Sequence, residues 1–278
     1  MVEAVADRSR GKGPVTRVAV PAVSFGQHPG LIDHIQGVYP DAKINTEGLT
    51  VYRSEDETIE YLRGYEAAIC SFEPITDRVL AALPDLRVIS KLGVGLDKID
   101  PDAMRRNGVR LGWTAGVNKR SVAELALCMA LMSLRHVSSC NLAMRAGKRP
   151  LQRIGRQLSG RTVGIHGCGQ IGKEFIRLLR PFGCRILVCD IKMYADFYAE
   201  HDVTTMPLVA MLEEAEVVSI HLPVTKETLW MYGGLELNSM RSDAVLINTA
   251  RGRLIDEQAL KERLMDGRIA AAAIDAAA

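Results

Sequence analysis

TVGIHGCGQIG, residues 162–172, sets Gly167, Gly169 and Gly172 in the spacing G-x-G-x-x-G where a β-branched run gives way to an amphipathic one. Each glycine answers a steric demand. The first permits a tight turn out of a strand, the second lets backbone approach a pyrophosphate, and the third lets helix and strand pack closely. Gln170 and Ile171 then open a helix whose unpaired N-terminal amides face the phosphates. Asp190 follows Gly172 by 18 residues, at the end of the next apolar run, RILVCD. A carboxylate there accepts from the adenosine ribose hydroxyls and repels a 2′-phosphate, so NAD is expected over NADP, with Lys192 as a nearby charge that softens the preference.

Outward from this stretch the same alternation covers most of the chain. VTRVAVPAV, EAAICSF, LRVISKLG and GVRLGWTA read as strands before it, and RILVCD, VVSIHLP, AVLINTA and IAAAAID as strands after it, with amphipathic segments between. Alternating βα units predict parallel sheets and an α/β class, here two Rossmann- or flavodoxin-like domains. Between the halves lies NKRSVAELALCMALMSLRHVSSCNLAMRAG, which predicts one long helix with a capping box from Ser121 to Glu124. The expected division is a disordered lead-in over 1–14, a first domain over 15–116, an interdomain helix over 117–148 and an NAD-binding Rossmann domain over 149–278.

Composition excludes several classes of function. With 35 basic and 33 acidic residues and 5% aromatics, the chain lacks both the charge excess and the stacking surface expected of a nucleic-acid binder. The six cysteines are scattered without a CxxC pair or a histidine cluster, which argues against a metal site and a disulfide framework and fits a reducing cytoplasm. MVEAVADRSRGKGPVTR lacks the apolar core of a secretory signal, and the most apolar stretch, Val122 to Leu134, is too short to span a bilayer.

Three ordered blocks, TVGIHGCGQIGKEF, EVVSIHLPVTKET and MRSDAVLINTARGRLIDEQAL, resemble the D-isomer-specific 2-hydroxyacid dehydrogenases, the family that includes phosphoglycerate dehydrogenase. KLGVGLDKID and AGVNKRSVAELAL in the first half match the same family. The resemblance implies NAD-dependent hydride transfer between nicotinamide and a small D-2-hydroxy or 2-keto acid, with 3-phosphoglycerate or a phosphono analogue among the candidates. It implies that the first domain binds substrate, that a cleft between domains closes on it, and that the protein is a homodimer through its NAD-binding domain.

Residue by residue, the resemblance makes Arg251 the catalytic arginine that grips the substrate carboxylate and polarises its carbonyl, a task suited to a planar, permanently charged fork. Gly93, Val94 and Gly95 match a loop whose backbone amides hold that carboxylate. His221, Pro223, Thr228, Thr249 and Ala250 match positions lining the cofactor, Asn118 and Ser121 a cofactor-facing, hinge-like region, and Asp275 the aspartate near the nicotinamide carboxamide. The CSFEPIT segment, residues 70–76, resembles the phosphoglycerate branch, yet Phe72 and Glu73 offer no cation for a phosphate. The family carries a catalytic glutamate and an acid-base histidine beyond the strand that ends at Asp275, so the sequence is expected to continue past Ala278. The alternative expectation is a catalytically inactive NAD-binding sensor or corepressor-like module.

Overall fold

The computed structural model describes residues 13–47, 54–149 and 154–275, so most of the expected lead-in and the last three alanines lie outside the described residues. The chain forms two compact units, Met1–Val117 and Asn118–Ala278.

In the first unit the elements run β1 (Val18–Val20), α1 (Val23–Gly26), α2 (Pro29–Val38), β2 (Lys43–Ile44), α3 (Glu55–Leu62), β3 (Ala67–Cys70), α4 (Asp77–Ala81), β4 (Val88–Lys91), α5 (Pro101–Arg106) and β5 (Arg110–Gly112). The sheet is parallel throughout, in the order β2-β1-β3-β4-β5, which is the flavodoxin-like order. Its larger apolar cluster joins Leu62, Ala68, Ile75, Leu80, Leu86 and Ile89, all buried. Helix α3 begins with a capping box that the sequence analysis passed over: Ser54 accepts from the Glu57 backbone amide, and the Glu57 carboxylate accepts from the Ser54 amide.

The second unit runs α6 (Lys119–Leu134), α7 (Val137–Arg145), β6 (Thr162–His166), α8 (Gln170–Leu179), β7 (Arg185–Cys189), α9 (Ala195–Glu200), β8 (Val203–Thr205), α10 (Leu208–Glu214), β9 (Val217–Ile220), α11 (Gly234–Ser239), β10 (Val245–Asn248), α12 (Glu257–Met265) and β11 (Ala271–Ile274). Its six parallel strands order as β11-β10-β9-β6-β7-β8, the Rossmann arrangement, with the strand order reversing between β6 and β9. VVSI of β9 and VLIN of β10 are buried at every residue, as expected of inner parallel strands covered on both faces. One face packs under α6 and α8 through Ala123, Ala126, Ala130, Phe175 and Leu179, and the other under α10 and α11 through Met211, Leu212 and Leu237.

The expected single helix over 117–148 is instead two. His136 takes a left-handed conformation at φ 57°, and α6 and α7 meet there at 69°. The expected capping box at Ser121 is not formed: α6 begins at Lys119 behind Asn118 with no side-chain cap. Glu124 pairs instead with Arg120, one turn earlier on the helix surface. Among the described residues no single helix is long and apolar enough to cross a membrane.

Candidate functional site

In a doubly wound sheet the carboxyl ends of the strands share one edge, and a ligand binds where the strand order reverses. The second unit brings most of the sequence-predicted residues to that edge. Gly167 follows β6, Asp190 follows β7, His221 and Pro223 follow β9, Thr249 to Arg251 follow β10, and Asp275 follows β11.

The three glycines meet different surroundings. Gly167 sits at φ +97°, and a Cβ there would lie 2.7 Å from the His221 carbonyl oxygen. A Cβ on Gly172 would lie 2.2 Å from the carbonyl oxygen of Gly167. Gly169 differs: a Cβ there would meet nothing within 4 Å. Two glycines are therefore demanded by the protein's own packing, and the third faces open space. Gly169 caps α8 without any side chain accepting from the first turn, and that turn carries no acidic residue. Such a helix start leaves its amides and positive dipole end available to an anion, so the cradle fits a dinucleotide pyrophosphate.

Asp190 has a further role that spacing did not show. Its carboxylate accepts from the Cys168 backbone amide at 2.5 Å and from the Lys192 amide at 2.7 Å, tying the glycine turn to the loop after β7. Each oxygen of an ionised carboxylate has two lone-pair sites, so the same group can still accept from a ribose hydroxyl.

At the ends of β9 and β10, which pair in register Asn248 to Ile220, buried polar atoms lack partners. His221 Nδ1 and Thr249 Oγ1 are both orphaned, as is Asn118 Oδ1 at the start of α6. Buried polar groups are rarely left so, and orphans at a ligand-binding edge are what a bound polar molecule would satisfy. The other nitrogen of His221, Nε2, lies 3.0 Å from Ser219 Oγ, and its ring meets Phe175 edge-on. Burial pulls its pKa down to about 4, so this imidazole is neutral near pH 7. The Thr228 hydroxyl is engaged within its own loop, donating to the Pro223 carbonyl and accepting from the Thr225 amide.

Arg251 begins the 3-10 turn Gly252–Leu254, and its Nη1 donates to the Ala250 carbonyl at 2.7 Å. Two residues that the sequence reading passed over frame it. Asn248, fully buried, accepts from the Ala250 amide at 2.9 Å through Oδ1 and donates to the Arg251 carbonyl at 2.8 Å through Nδ2. Tyr232 exchanges backbone bonds with Leu254 and Asp256 beyond the arginine. Its hydroxyl lies 2.9 Å from Nδ1 of His166, the residue before the glycine turn. The Asn248 contacts are local, and an Asn two residues before a turn is a readable signal; the Tyr232–His166 pair is not, because 66 residues separate its members.

In the first unit, Gly93, Val94 and Gly95 follow β4. Gly93 sits at φ +94° with only the Lys91 amine, which donates to the Leu92 carbonyl at 2.6 Å, near its absent side chain, at 3.6 Å. The Val94 carbonyl accepts from the Trp113 indole at 3.1 Å. After the neighbouring β3, the buried Glu73 accepts from the Ser71 amide at 2.6 Å.

Comparison with known proteins agrees with this architecture. Residues 127–278 match the model of the D-isomer specific 2-hydroxyacid dehydrogenase NAD binding domain. A glyoxylate reductase of Korarchaeum cryptofilum is 35% identical over 80% of this chain and 69% of its own length. An (S)-sulfolactate dehydrogenase of Chromohalobacter salexigens is 35% identical over 76% of this chain and 70% of its own. Among solved structures, a D-isomer specific 2-hydroxyacid dehydrogenase from Polaromonas superposes with a TM-score of 0.85 at 26% identity, covering 95% of this chain and 83% of that one. The chain thus belongs to the D-isomer-specific 2-hydroxyacid dehydrogenase family, whose NAD-binding domain it carries.

Proposed function

We propose that the protein reduces a small, unphosphorylated 2-keto acid with NADH, and that Arg251 grips the carboxylate and polarises the carbonyl of that acid. The observation that carries the reading is the placement of Arg251: it stands at the carboxyl end of β10, two strands from the glycine turn, on the edge where the orphaned polar atoms and the anion-ready helix start also lie. Bound NADH supplies the hydride. Asp190 holds the glycine turn and faces the adenosine ribose, and a guanidinium beside the carbonyl favours the developing negative charge on its oxygen. His166 and His221, both held neutral by burial with pKa values of about 4, are unsuited to deliver the proton that the alkoxide takes up, so that proton comes from another acid, by resemblance to the family an imidazolium paired with a glutamate.

Two observations favour glyoxylate or a similarly short acid over a phosphorylated one. The segment after β3 presents a buried carboxylate, Glu73, and no cation between residues 70 and 76. Relatives include a glyoxylate reductase and a hydroxypyruvate reductase, whose named acids carry no second anionic group. The homodimer is part of the same proposal: α7 presents Val137, Leu142 and Met144 to solvent, and sedimentation velocity tests it.

The test is NADH oxidation with glyoxylate, hydroxypyruvate, sulfopyruvate and 3-phosphohydroxypyruvate, followed by Arg251→Ala. The substitution should lower kcat/KM by about a thousandfold, on the order of 4 kcal/mol, with NADH affinity unchanged. Unaltered turnover would remove Arg251 from the chemistry. No turnover with any of the four acids, and no tightening of NADH by any of them, would favour the non-catalytic NAD-binding module instead.

A further inference from the structure

We infer that Asn248 is a positioning residue for substrate binding: its carboxamide holds the backbone on which Arg251 is aimed. This rests on the reading of Arg251 given above. Asn248 ends β10 with no exposed surface and uses both faces of its amide on the turn that follows. Oδ1 accepts from the Ala250 N–H at 2.9 Å and Nδ2 donates to the Arg251 carbonyl at 2.8 Å. The arginine's own Nη1 returns to the carbonyl of Ala250, at 2.7 Å. The Ala250 residue is thus held at its amide by Asn248 and at its carbonyl by Arg251. The Arg251 carbonyl is held a second time by the Leu254 amide, at 3.3 Å.

No other side chain meets these demands at this length. An aspartate keeps the acceptor but turns lone pairs toward the Arg251 carbonyl; a serine reaches the Ala250 amide but is too short to serve both groups; an alanine leaves the Ala250 amide unpaired and the Arg251 carbonyl with only its longer bond, from the Leu254 amide. The backbone amide of Asn248 belongs to the sheet, and its carbonyl accepts from the Asp275 amide at 3.0 Å, so the side chain is anchored on a strand bound on both sides. A buried strand end is a rigid base for a loop residue that must meet a carboxylate fork to fork, where a misplacement of about 1 Å costs on the order of a hundredfold.

The experiment measures the affinity of oxamate, a non-reducible analogue of a 2-keto acid, for the NADH complex of the full chain by fluorescence. It compares the unsubstituted protein, Asn248→Asp, Asn248→Ser, Arg251→Lys and the double variant Asn248→Asp with Arg251→Lys. Asn248→Asp should weaken oxamate by about 10- to 100-fold while NADH affinity changes less than about twofold, and Asn248→Ser should show a smaller loss of the same kind. In the Arg251→Lys background the same aspartate should cost less than about threefold, because its effect passes through the arginine.

Oxamate affinity unchanged by either Asn248 substitution would overturn the inference. So would an equal loss in both backgrounds, or a parallel loss of NADH affinity, since each would mean that Asn248 supports the strand end generally. If Asn248→Asp does not fold, the serine variant decides by the same criteria. If the unsubstituted NADH complex fails to bind oxamate, the reading of Arg251 falls, and the inference with it. That failure is distinct, because it shows before any substitution is made.

Discussion

Each unit carries a glycine loop at the carboxyl end of a parallel strand, and the two loops need their glycines for different reasons. Around Gly167 and Gly172 the protein packs against itself, leaving 2.7 Å and 2.2 Å between a would-be Cβ and a backbone carbonyl oxygen. Around Gly93 there is room, and only the positive φ of +94° asks for glycine. The first loop is built into the fold of its unit, whereas the second is a conformational choice on the surface of its own. Glycine spacing in sequence does not distinguish the two cases; the surroundings do.

The comparison breaks most readily at Gly172. Alanine there must displace backbone, so it should cost about 3 kcal/mol of stability and abolish measurable NADH binding. Gly169→Ala is the counterpart inside the same loop. Its Cβ meets only open space, so stability should stay within about 0.5 kcal/mol while NADH affinity falls by about tenfold or more, because the side chain stands where backbone must approach the phosphates. Thermal melts with and without NADH separate the two effects. A Gly169→Ala protein that binds NADH normally would show that the turn is a structural feature and not a phosphate cradle.

How far the sequence disclosed this follows the same division between local and distant causes. The strands β6, β9 and β10 were plain because inner parallel strands are continuous apolar runs, and the glycine turn between β6 and α8 follows from spacing alone. Strands β2 and β8, KI and VTT, are short outer strands and carry no such pattern. The break between α6 and α7 was hidden because RHV continues the helical composition on either side, and no residue type there requires a left-handed turn. At the site, Asp190 was found by distance from Gly172, but its grip on the Cys168 amide depends on how β6 and β7 pair. The bonds of Asn248, to groups two and three residues on, are local and follow from an asparagine at a strand end before a turn.

Acid should sharpen the comparison by taking the units apart in order. In the second unit burial holds His166 and His221 at about 4. Unfolded, each imidazole returns to 6.5, so the unfolded chain binds more protons between pH 6.5 and 4 and stability falls as pH falls through that window. Each histidine is worth on the order of 3 kcal/mol when the descent is complete. In the first unit Glu66 is held down to about 2, first by the Thr16 backbone amide, so its contribution is present above pH 4.5 and is lost only as pH falls toward 2. The second unit should therefore loosen first. Trp113 lies in the first unit and Trp230 in the second, and they are the only two tryptophans. Fluorescence of Trp113→Phe and Trp230→Phe across pH 7 to 2 should show the Trp230 signal moving at the higher pH. Coincident transitions, or Trp113 leading, would mean that the buried histidines do not set the order.

The smallest effect is expected at Gly93, and it is the one that tests the idea of a conformational choice. Alanine there meets no backbone, and the Lys91 amine at 3.6 Å lies at ordinary van der Waals distance, so the cost is that of holding a side chain at positive φ, about 1 to 2 kcal/mol. NADH binding, which belongs to the other unit, should not change, while affinity for the 2-keto acid should fall by about tenfold if the Gly93–Gly95 amides hold its carboxylate. Gly93→Asn, which tolerates positive φ better than alanine, should recover part of the stability. Recovery of stability without recovery of keto-acid affinity would place the demand in the space above the loop, as at Gly169. Recovery of both would place it in the backbone angle alone, and the two glycine loops would then differ in kind as well as in degree.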